Sequence, residues 1–76
     1  MGMNAKEAKN KAMESMLSII DIRIGVEVDL GNLSVDIKIP SALTDSIAKH
    51  YNELGYNVIV VSTYEYERMI EISWDV

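Results

Sequence analysis

The sequence predicts an α+β domain in which two helices cover one face of a small, three-stranded, mostly antiparallel sheet, in the order helix, strand, helix, strand, strand. Three observations carry the prediction. Residues 4–20 are rich in Ala, Lys, Glu and Met and place apolar side chains at helical spacing. A second helical stripe runs from Leu43 to Leu54. Short β-branched runs at Leu33–Ile39, Val58–Val61 and Ile70–Trp74 read as strands. With 76 residues there is room for one core, so residues 1–76 are read as a single domain.

In the first helix, Asn4 is an N-cap with Glu7 three residues on. Ala5, Ala8, Ala12, Met13, Met16, Leu17 and Ile20 form a stripe that reads as core. The next segment is ambiguous. From Ile20 to Leu30 every second residue is apolar, the period of a strand. With Gly31-Asn32 as a two-residue turn, residues 20–39 form a β-hairpin on this reading. The competing reading runs the helix to about Leu30, with Ile20, Ile24 and Val28 facing the core and Gly31 as a left-handed stop. Gly25 and the β-branched residues weigh against it.

Pro40 ends the strand that follows. Ser41 or Thr44 can cap the second helix, and Asp45 puts negative charge in its first turn. Its buried stripe is expected to be Leu43, Ile47, Tyr51 and Leu54. Gly55 closes it, with Tyr56 folding back toward Tyr51. The unbroken run Val58-Ile59-Val60-Val61 suits a strand covered on both faces, so this strand is expected at the centre of the sheet. Residues 64–68 make a turn, and Ile70, Ile72 and Trp74 share one face of the last strand.

Composition narrows the function classes. The chain is 49% hydrophobic and 25% charged, ordinary for a folded domain, and its formal net charge is −5. That acidity argues against direct nucleic-acid binding and against an anionic membrane surface, both of which call for clustered Lys and Arg. Without cysteine, and with one histidine, the usual structural zinc sites and disulfides are excluded. No cofactor is expected. A chain this small often needs a staple, and self-association is the one left, so a homo-oligomer is expected. The absence of a signal-peptide layout and of a long apolar run points to the cytoplasm.

Several motifs together suggest a relationship. Ala5 to Ala8 open a helix as A-K-E-A, and Gly31 to Val35 read G-x-x-S-V at a strand start. Leu54-Gly55-Tyr56 closes the second helix before Val58, and Ile72-Ser73-Trp74 lies near the end. In these features the chain resembles small, uncharacterised bacteriophage proteins with a long N-terminal helix, an L-G-Y helix end and a C-terminal I-S-W strand. The resemblance implies the long first helix and expression in an infected bacterium, hence the host cytoplasm. It brings no catalytic residue. The β-branched stretch Ile22 to Val28 departs from the pattern.

Few residues carry a chemical signal. His50 lacks an orienting carboxylate or a nucleophile at any recognisable spacing and reads as a surface histidine of the second helix. Asp21, Glu27 and Asp29 fall on a polar side and read as solubilising, and no calcium-loop or zinc motif occurs. Tyr64, Tyr66 and Arg68 recur every second residue and can stack a base or clasp a phosphate; the plainer alternative is packing at a hairpin tip. Ile59, Val61 and Trp74 are the expected interface residues. The expectation is therefore a non-enzymatic phage accessory protein that binds and inhibits or sequesters a host anti-phage component. A nucleotide-binding oligomer, taking a small signalling nucleotide, and a structural subunit are the alternatives.

Overall fold

The computed structural model describes residues 2–76. It contains helix α1 (Ala5–Asp29), strand β1 (Ser34–Pro40), a 3-10 turn (Ser41–Leu43), helix α2 (Thr44–Glu53), and strands β2 (Asn57–Thr63) and β3 (Glu67–Ser73). Both helices lie on one face of a three-stranded sheet, the α+β class expected. The sheet order is β1-β3-β2, with β3 antiparallel to both neighbours. β1 and β2 therefore run in the same direction, joined by a crossover through α2, with β3 inserted between them.

Residues 20–30 are helix rather than the first strand of a hairpin, which settles the ambiguity of their alternating pattern. Asn4 caps α1: its side-chain oxygen accepts from the Glu7 backbone N–H at 2.9 Å, and its amide donates to the Glu7 carboxylate at 2.8 Å. Both helices end alike. Gly31 (φ +81°) and Gly55 (φ +97°) take the left-handed conformation that an L side chain resists. Asn32 N–H then donates to the Glu27 carbonyl and Gly31 N–H to that of Val28; Tyr56 and Gly55 repeat this on Tyr51 and Asn52. These are two Schellman closures, which satisfy carbonyls that a helix end leaves open. Neither Ser41 nor Thr44 caps α2 with its side chain; the 3-10 turn after Pro40 feeds directly into the helix.

The core forms where the helices meet β1 and β3. β1 buries Val35, Ile37 and Ile39 and exposes the residues between them. In register, Ile72 lies beside Val35 and Ile70 beside Ile37. Ile20 and Ile24 of α1, with Leu43, Ile47 and Tyr51, close the layer. A fully buried aliphatic side chain of this size contributes about 1.5–3 kcal/mol, so this cluster is the main stabilising term. Five expected core positions are exposed instead. Ala5, Ala8 and Ala12 are exposed, on a side of α1 turned away from the one whose Met13, Leu17 and Ile20 pack into the core. Val28 and Leu54 are also exposed, each within a residue or two of its helix end.

The expected centrality of β2 is wrong: β3 is central and β2 is an edge. The tight hairpin obliges β2 and β3 to pair, and β1, returning from the other side, takes the second edge of β3. The β-branched run of β2 is consequently not covered on both faces.

Candidate functional site

β2 is the feature that the fold leaves unfinished. Val58 is half-buried against the core, but Ile59, Val60 and Val61 are 54%, 51% and 46% exposed. Val60 pairs with buried Ile70 and so lies on the helix-bearing face, where α1 and α2 do not reach it. Ile59 pairs with Glu71 on the open face. Between Val60 and Ser62 the register shifts, a bulge centred on Val61 that increases local twist.

The two edges of the sheet differ in chemistry. β1 carries Asp36 and Lys38 and ends at Pro40, which offers no N–H to an incoming strand. The Arg23 guanidinium also donates to the Asp36 carbonyl, at a long 3.4 Å. Charge, proline and a covering side chain are the usual protections of a sheet edge. β2 has no charged residue and no proline from Asn57 to Thr63. Its bulge is its one such device.

At the hairpin tip Tyr64 N–H donates to the Glu67 carbonyl, closing the turn. Arg68 Nη1 donates to the carbonyls of Tyr64 and Glu67, both at 3.2 Å, so part of its guanidinium already serves the turn. Tyr66 is 76% exposed. Lys38 Nζ stands 4.8 Å from the centre of the Tyr64 ring, a cation–π contact that sequence spacing could not reveal, because it depends on strand order. Tyr64, Tyr66 and Arg68 are thus gathered at one tip.

A groove lies at the opposite end of the sheet. Open and of about 260 Å³, it is lined by Val28, Leu54, Gly55, Tyr56, Trp74 and Val76. Trp74 is held there in part by an edge-on Tyr56 ring 6.1 Å away and by its backbone N–H donating to the Leu33 carbonyl. It is half-buried, on the face opposite Ile59, so Ile59 and Trp74 do not form one surface. Leu54 and Val28 were expected in the core; their exposure at the helix ends is what opens the groove.

The remaining candidates have structural roles. His50 is half-buried with its ring 4.9 Å from that of Tyr51, edge-on. Tyr51 donates to Asp21 at 2.6 Å, and its hydroxyl lies 3.3 Å from the Leu17 carbonyl. Burial first, and the Asp21 carboxylate second, raise its hydroxyl well above the ordinary tyrosine range. The carboxylate of Glu27 accepts from the Asn32 side chain at 2.7 Å, which ties down the end of α1. Among the described residues no group of three or more His, Cys, Asp or Glu could hold a metal ion, and no helix is long and apolar enough to cross a membrane. No protein-family model, curated protein or solved structure matches this chain, so the geometry of its own residues is what a functional reading rests on.

Proposed function

We propose that this chain is a non-enzymatic binding protein that captures an extended segment of another polypeptide along the edge of β2. The bare edge, uncharged and lined by Ile59, Val60 and Val61, carries the reading. An incoming strand would satisfy backbone groups that β2 presents to solvent, while its alternate side chains met apolar surface on both faces. Glu53 just precedes β2, Glu65 follows it, and Glu71 stands across from Ile59. With a net charge of −5, this rim favours a segment in which Lys or Arg alternates with β-branched residues. On the resemblance to phage proteins, the captured segment belongs to a host protein, and occupying it inhibits or sequesters that protein in the infected cell's cytoplasm.

The nucleotide reading has less support: Arg68 is partly committed to the turn, and none of the three tip residues lines the groove at the other end of the sheet. The test uses a short peptide of alternating Lys and Val, followed by fluorescence anisotropy. It should bind, its Glu-Val counterpart should not, and methylation of alternate backbone amides should abolish binding without altering charge. Equal binding of the methylated and unmethylated peptides would overturn strand capture.

A further inference from the structure

A second apolar stripe runs along α1 on the side away from the core, and no other described residue covers it. Ala5, Ala8, Ala12 and Ser15 in the first half of the helix, then Ile19, Ile22 and Val26 in the second, follow one another at alternating spacings of three and four. That is the seam spacing of a two-helix coiled coil. All seven are exposed, Ile22 to 67%, whereas the core-facing Met13, Met16, Leu17, Ile20 and Ile24 occupy the other side. β-Branched residues do not favour a helix intrinsically, so three of them on its outer face require another explanation.

We propose that a second copy of this chain covers the stripe, the two α1 helices pairing antiparallel about a two-fold axis near their middle. The order of side-chain sizes identifies the occupant. Antiparallel pairing in the seam register sets Ser15 against Ile19, Ala12 against Ile22 and Ala8 against Val26, so each large residue meets a small one in three consecutive steps. Small-against-large layers let the helix axes approach closely and still fill the space between them. Parallel pairing would stack alanine on alanine at one end and Asp29 on Asp29 at the other.

Charge agrees with the antiparallel choice. Lys6, Lys9 and Lys11 lie in the first turns of α1, while Glu27 and Asp29 lie in the last. Reversal brings these ends alongside one another and places Asp29 near the partner's helix N-terminus, where its charge is favoured. One contact opposes this, because Lys9 falls near Arg23 of the other copy on the seam rim. Glu7, Glu14 and Asp21 keep to a separate side of the helix, so three of the five carboxylates of α1 stay out of the contact. The helix is also long enough. Twenty-five residues at about 1.5 Å each make a rod of about 37 Å, consistent with the molecule's 45 Å long dimension. Capture of a partner at β2 is independent of this contact, since α1 packs over β1 at the other edge of the sheet.

Light scattering coupled to size exclusion on the full chain should give twice the monomer mass. Ile22→Glu and, separately, Ala12→Glu should return it to the monomer mass with the helical circular dichroism of the folded chain retained, because both positions are outside the core. Ile59→Glu should leave the dimer intact. The absence of cysteine permits a test of direction: mixed Ala8→Cys and Val26→Cys chains should form a disulfide between the two kinds of chain faster than either kind alone. A monomeric wild-type chain overturns the proposal. So does a dimer that survives Ile22→Glu but is lost with Ile59→Glu, or preferential linking of Ala8→Cys chains to one another.

Discussion

Tyr51 draws more of the structure together than any other side chain. It is fully buried, its hydroxyl bridges α2 to Asp21 of α1, its ring meets Tyr56 edge-on at 5.6 Å, and its carbonyl accepts the Tyr56 N–H. Its raised pKa has a thermodynamic consequence. The phenol ionises near pH 10 in the unfolded chain but higher in the folded one, so the folded state retains a proton that the unfolded state gives up. The stabilisation is complete below about pH 10 and is lost as pH rises from there toward the folded value, at a limiting slope of about 1.4 kcal/mol per pH unit. Tyr51→Phe should cost about 0.5–1.5 kcal/mol at neutral pH and should flatten the alkaline loss. Thermal melts of both chains from neutral pH to beyond about pH 10 measure this, and parallel alkaline slopes would refute it. Gly31 and Gly55 act through backbone conformation alone, because a Cβ at either would meet open space. Gly31→Ala and Gly55→Ala should each cost about 1–2 kcal/mol by urea denaturation, from the left-handed φ alone.

At the scale of elements, the parts with local causes were legible in the sequence. Asn4 with Glu7, Gly31 and Gly55 are short-range signals, and the helix boundaries follow from them. Strand order is not local. Val58 to Val61 promise a covered strand by composition, yet the connection through α2 gives the centre to β3, although β3 carries the charged Glu71 and Arg68. The alternation from Ile20 to Leu30 is instructive in a different way. A strict period of two contains Ile20 and Ile24 at helical spacing and leaves Ile22 and Val26 on the far side, so one pattern encodes either a strand or a helix with two apolar stripes. The candidate site was only partly readable for the same reason: Ile59 and Val61 were identifiable as apolar, whereas Val60 on the uncovered helix side and Lys38 above Tyr64 depend on the assembled sheet. Gly25 is the weak point of α1 and has open space where a Cβ would be. Gly25→Ala should stabilise the chain by about 0.5–1 kcal/mol, seen as a higher urea midpoint with unchanged slope.

For the whole molecule, the governing fact is how little a chain of this length can bury. Its core is one layer between two helices and the β1–β3 half of the sheet, while the outer side of α1 and the β2 edge remain apolar and exposed. A core of this size rarely supplies more than about 3–5 kcal/mol. Antiparallel pairing of α1 would add burial at Ile19, Ile22 and Val26 that the monomer lacks, and association linked to folding makes stability depend on concentration. The melting temperature of the wild-type chain should therefore rise with protein concentration. That of Ile22→Glu should not, since the variant retains the monomer's core but loses the seam. Gly25→Ala bears on the helix itself and should raise the melting temperature at every concentration, leaving the dependence in place. Differential scanning calorimetry across a hundredfold range of concentration separates the two effects. A wild-type melting temperature independent of concentration would mean that the small core sustains the fold alone and that the outer stripe of α1 contributes nothing to it.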